Sequence, residues 1–83
     1  MMSKKRKENE IKFKDWKELS NGGRVYFLTV DGRYGWKATY FKEVDFKEQT
    51  IRFWQEIYNQ NSVLVEIHEK YPEDKGHIKL SQQ

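Results

Sequence analysis

His68 and His77 are the only two imidazoles in a chain of 83 residues that contains no cysteine. Both fall in Ser62–Leu80, a stretch that reads as a β-hairpin. Placing Ile67 with Leu80 on a core face, and Glu69 opposite Ile78, sends Glu66, His68 and Lys70 to the other face with His77 and Lys79. In that register His68 neighbours Lys79, and Lys70 neighbours His77. An imidazole with a pKa of about 6.5 both accepts and donates a proton near neutrality. A lysine beside it stabilises a developing anion. Such a set suits metal-independent cleavage of RNA, with the 2′-hydroxyl as internal nucleophile and Asp74 or Tyr71 orienting a ring. The catalytic candidates are therefore His68, His77, Lys70 and Lys79. The same alternation arises on the solvent face of any half-buried hairpin, where Lys–Glu pairs are ordinary cross-strand neighbours. His68, His77 and Glu66 have no recognised metal-ligand spacing, and no metal or cofactor is expected.

A second pattern is suited to binding. Arg24, Tyr26, Arg33, Tyr34, Trp36, Lys37, Tyr40 and Lys42 interleave bases and aromatics, as surfaces that stack bases and hold phosphates do. Parity assigns Tyr26, Trp36 and Tyr40 to the core, which leaves Arg33 and Tyr34 free at a turn. The net charge of +3 is concentrated at one end: Lys4, Lys5, Arg6 and Lys7 face only Glu8 and Glu10, whereas from Ile11 onward 12 basic side chains meet 11 acidic ones. The binding candidates are Lys4, Lys5, Arg6, Lys7, Arg33 and Tyr34, with nucleic acid as the implied partner. Gly22-Gly23 is not followed by the Lys-Ser/Thr of a phosphate loop, and no serine has a nucleophile-elbow context.

The elements that must position these residues form one small domain. Residues 1–10 lack apolar periodicity and read as a flexible basic arm. Residues 11–20 are open to helix (Phe13, Trp16, Leu19) or strand (Ile11, Phe13). Arg24–Asp31 and Tyr34–Val44 read as a hairpin about Asp31-Gly32. Asp45–Asn61 reads as the main helix: Asp45 and Glu48 match a capping pattern, and Phe46, Thr50, Phe53, Trp54 and Ile57 form a stripe widened by Ile51 and Tyr58. Val63–Tyr71, a turn at Pro72–Gly76 and His77–Leu80 close the sheet. The expected fold class is α+β, an antiparallel sheet with one main helix in the order β-β-α-β-β, the domain spanning 11–80 and a tail 81–83. One helix covers one sheet face, so a homodimer or another protein partner is expected over the second.

Composition bounds the alternatives. With 36% hydrophobic but 16% aromatic residues, the core must be built from few, large side chains. Without cysteine there are no disulfides, thiolate metal sites or Cys nucleophiles. No apolar run is long enough for a transmembrane helix, and the basic N-terminus lacks the apolar segment of a secretory signal. A cytoplasmic protein without membrane contact is expected.

The blocks Gly23-Arg24-x-Tyr26, Gly32-Arg33-Tyr34-Gly35-Trp36-Lys37-Ala38 and Val65-Glu66-Ile67-His68-Glu69-Lys70-Tyr71-Pro72 through Gly76-His77 resemble small hypothetical proteins of archaea and bacteria, over about residues 13–80. That resemblance implies no activity. More distantly, a short α+β chain ending in a His-bearing hairpin resembles the TumE-type toxin components of toxin–antitoxin pairs, whose ending is richer in histidine. It implies RNA-directed toxicity through His68 and His77. The leading expectation is a small binding or interaction module contacting nucleic acid. The alternatives are a small ribonuclease or toxin-like enzyme, and an obligate subunit of an oligomer or complex.

Overall fold

The structure, a computed structural model, describes residues 3–80. It is one small domain of a single helix and one antiparallel sheet. The chain runs α1 (Lys4–Phe13), β1 (Asp15–Glu18), β2 (Arg24–Asp31), a 3-10 turn (Arg33–Gly35), β3 (Lys37–Val44), β4 (Thr50–Tyr58), β5 (Leu64–Tyr71) and β6 (Gly76–Lys79). The six strands lie in chain order, so each pairs with its sequence neighbour. Such a meander needs only short hairpin connections.

The main helix expected over 45–61 is not formed. Thr50–Tyr58 is instead a central strand between β3 and β5. Six of its nine residues (Thr50, Ile51, Phe53, Trp54, Ile57 and Tyr58) are β-branched or aromatic, the types that favour a pleated surface. The supposed helix cap is a turn. Asp45 Oδ1 accepts from the backbone N–H groups of Lys47 and Gln49, each at 2.9 Å, and Glu48 adopts a positive φ of 67°. Phe46 and Ile51, two members of the supposed stripe, are exposed.

The helix lies where the flexible arm was expected. Ser3 caps it by accepting from the Arg6 N–H at 3.0 Å, and Lys14 ends it in the left-handed region. Residues 11–20 then divide between the last helical turn and β1, and the order becomes α-β-β-β-β-β-β. The tail 81–83 lies outside the described residues. α1 packs on β1 and β2, and its only buried side chains are Asn9 and Phe13. Phe13 joins Tyr26 and Val44 in a core flanked by Trp16, Leu28, Tyr40 and Phe53.

Register sorts the remaining side chains. One face carries Trp16, Tyr26, Lys42 and Phe53 in one row, and Leu28, Tyr40, Gln55, His68 and His77 in the next. The helix covers one corner of this face, leaving its rim and the β4–β6 side open. The opposite face carries a network of its own side chains. Phe41 meets Phe27 in a tilted pair at 6.5 Å and stacks on Trp54 at 4.9 Å. The Arg52 guanidinium lies 4.0 Å over the Trp54 ring and holds Glu69 at 2.7 Å. The Trp54 indole N–H donates to Glu56, which also accepts from Tyr58.

Candidate functional site

A basic helix with almost no apolar face must be held by polar contacts. Two buried groups do this. Glu48, its side chain 2% exposed, accepts from Arg6 Nε and from Asn9 Nδ2 at 3.1 Å each, and from the Tyr26 hydroxyl. Burial pushes the Glu48 carboxyl up, but the hydrogen bonds from Tyr26, Asn9 and Arg6, with the Arg6 charge, outweigh it and hold the pKa below the usual carboxylate range. Arg24 reaches Glu10 of α1 at 2.6 Å and Glu18 of β1 at 3.0 Å, and lies 4.8 Å over the Trp16 ring. Burial opposes its charge, yet Glu10, Tyr26 and Glu18 together hold it more firmly protonated than an ordinary arginine.

Between these anchors the Tyr26 hydroxyl is pushed up to about 12, first by burial and then by Glu48. A raised folded pKa stabilises fully below the unfolded value of about 10 and loses that contribution as pH rises toward the folded one. Denaturation measured through the alkaline range should show this loss. A Tyr26→Phe variant, less stable at neutral pH, should show a shallower one. Equal alkaline slopes in both proteins would overturn the assignment.

Docked over β1 and β2, α1 forms a groove of about 600 Å³ with residues of β3, β4 and β5. Lys5 and Lys12 of the helix and Lys42 of β3 line it, together with Phe13, Phe53 and Tyr71. Lys42 Nζ donates to Asn9 Oδ1 at 3.0 Å. Burial lowers its pKa, and the nearby charges of Lys12 and Lys5 lower it further, against an opposing pull from Glu48 and Glu8. Beyond the groove, Lys70 Nζ lies 5.2 Å from the Tyr40 ring centroid and 5.6 Å from that of Phe53, and those two rings stack at 6.5 Å. The surface that results alternates ammonium groups with aromatic faces.

Lys70 was expected in a catalytic set and Lys42 and Tyr40 in the interleaved pattern, but no reading of the sequence placed them together. Of the expected binding residues, Lys5 lines the groove, Arg6 is spent on Glu48, and Lys4 and Lys7 are exposed on the helix. Arg33 and Tyr34 lie at the far end of the sheet. Lys12, Lys42, Phe53 and Tyr71 were missed as a group, because nothing in the chain shows that residues so far apart converge until the helix is placed.

The two histidines do share a face, but in a different register. Ile67 pairs with Ile78 and His68 with His77, so the expected His68–Lys79 and Lys70–His77 neighbours are replaced by a His–His pair, and Lys79 lies opposite Glu66. The shift is two residues, which preserves the face and changes the partners. The imidazole centroids are 4.2 Å apart. His68 Nε2 meets Asp74 Oδ1 at 2.8 Å, and its Nδ1 is buried without a partner. His77 is half-exposed, with Nδ1 3.2 Å from Glu66. One ring is thus accessible and the other is enclosed. Among the described residues, no cluster of three or more His, Cys, Asp or Glu is arranged to hold a metal ion, and no helix is long and apolar enough to cross a membrane.

Comparison with protein families, with characterised proteins and with solved structures finds no match to this chain.

Proposed function

We propose that the protein binds single-stranded nucleic acid in the groove between α1 and the sheet, as a non-enzymatic module. The observation that carries this reading is the convergence of Lys5, Lys12 and Lys42 beside Phe53 and Tyr71. Gathering like charges around the partly buried Lys42 opposes folding, and a polyanion relieves that opposition when it binds. Aromatic faces alternating with the ammonium groups favour bases that are free to stack. The histidine pair lies on the same face, but with both nitrogens of His68 occupied or enclosed it suits a structural role better than proton transfer.

The test is binding of a labelled single-stranded oligonucleotide across a salt series. Four lysines, Lys5, Lys12, Lys42 and Lys70, each neutralising one phosphate, predict a slope of log K against log salt of about −3, at about 0.7 per contact. His68→Ala and His77→Ala should bind within about twofold of the parent, and the RNA should stay intact. No retention, or retention indifferent to salt, would overturn the reading. Cleavage by the parent that disappears in folded His68→Ala or His77→Ala protein would establish the ribonuclease alternative instead.

A further inference from the structure

At the other end of the same open face, β3 begins beside an apolar recess of about 320 Å³ lined by Tyr34, Trp36, Ala38 and Ile57, with Arg33 and Lys37 at its rim. Tyr34 is 86% exposed and held at φ 61°, ψ 28°. That left-handed conformation is uncommon for a bulky side chain, and such strain clusters at ligand clamps. Trp36 is fixed in place, because its indole N–H donates to Gln60 Oε1 at 2.9 Å, and the residue is 38% exposed. Arg33 and Lys37 make no ion pair among the described residues. An apolar recess lined by two aromatic residues, with two unpaired cations at its edge, matches a planar base that carries a phosphate.

We infer that this recess is a second anchor for the same strand, taking one unpaired base between Tyr34 and Trp36 and its phosphate on Arg33 or Lys37. The inference rests on the proposed binding of single strands in the α1 groove. Both anchors belong to one face of β3: Ala38 lines the recess and Lys42 the groove. Four residues of strand separate them, about 13 Å at roughly 3.3 Å per residue. A stacked strand covers that distance in about four nucleotides, at roughly 3.4 Å each. A shorter oligomer reaches one anchor only. A longer one engages both, and the second contact is then intramolecular. A duplex keeps its bases paired and stacked, so it cannot supply the base.

The experiment is a length series of oligouridylates, from dimer to octamer, bound to the intact protein. Affinity should rise by about tenfold or more once the oligomer spans both anchors. Tyr34→Ala, at an exposed position that leaves the core untouched, should flatten this rise. Quenching of tryptophan fluorescence should accompany the rise and be lost in Trp36→Phe. If oligomers bind, but without a length threshold or with one that Tyr34→Ala leaves in place, the second anchor is overturned. Equal binding of a duplex would overturn it too. If no oligomer of any length binds, the groove reading itself fails, which is a separate result.

Discussion

Glu48→Ala should lower the stability of the domain by about 3–5 kcal/mol, the cost typical of removing one member of a buried ion pair. Three donors lose their acceptor together: Arg6, Asn9 and Tyr26. Small domains have about 5–15 kcal/mol in total, so the variant will sit near its unfolding limit. α1 should be released first. It has ten residues and buries two, and an isolated helix shorter than about 12–15 residues is marginal in water. Hydrogen exchange should therefore show residues 4–13 losing protection ahead of β2–β5. Uniform loss across the sheet, or no loss at all, would overturn the assignment of Glu48 as the helix anchor.

Two comparisons separate the carboxylate from its backbone. Glu48 sits at φ 67°, where a Cβ costs about 1–2 kcal/mol. Glu48→Gly relieves that strain while removing the same acceptor, so it should be less destabilised than Glu48→Ala by about 1 kcal/mol. Acid denaturation supplies the second comparison. Because the folded pKa of Glu48 is depressed, its contribution is present above the unfolded carboxylate pKa of about 4.3 and is lost as pH falls through the folded value. The parent should lose stability over that window, and Glu48→Ala should lose less.

How much of this was legible in the chain follows from which residues show one period and which show two. Arg24–Asp31 was readable as a strand from its β-branched and aromatic residues ending at Asp31-Gly32, and Val63–Tyr71 from its alternation ending at Pro72. Thr50–Tyr58 was not, because both of its faces are apolar: Phe53 points toward the groove and Trp54 toward Phe41 and Arg52. Two apolar faces erase the alternation, and the aromatic positions left behind happen to fit helical spacing. The true helix failed the opposite way. Lys-Lys-Arg-Lys-Glu-Asn-Glu-Ile-Lys-Phe has no apolar stripe, since it docks through Arg6, Asn9 and Glu10 with a single buried hydrophobic side chain, Phe13. The local signals were present, with Ser3 as a cap followed by strong helix formers, but they do not name Glu48 as the distant partner. The shared face of the two histidines was readable from parity, whereas their direct pairing depended on a register that parity cannot distinguish from one two residues away.

Lys42→Gln should separate binding from folding more cleanly than any other change. Removing this ammonium ends the cost of burying a charge and the repulsion from Lys5 and Lys12. It also takes a donor from Asn9 Oδ1. These effects oppose each other and should leave stability within about 1 kcal/mol of the parent. Affinity for a single-stranded oligonucleotide should nevertheless fall by about tenfold or more, and the salt slope should lose about 0.7. A lysine that only packed the helix would give the reverse, a lower stability with binding unchanged. Titration adds a signature that a structural role lacks. The lowered pKa means that Lys42 discharges at a lower pH than an ordinary lysine. Its surroundings are Lys5, Lys12 and Glu8 of α1 and Glu48 of the 45–49 loop. Binding by the parent should therefore weaken before the ordinary lysine range is reached, and Lys42→Gln should lack that early limb. Identical alkaline profiles for the two proteins would mean that Lys42 does not touch the ligand, and the groove would lose the residue on which the other lysines converge.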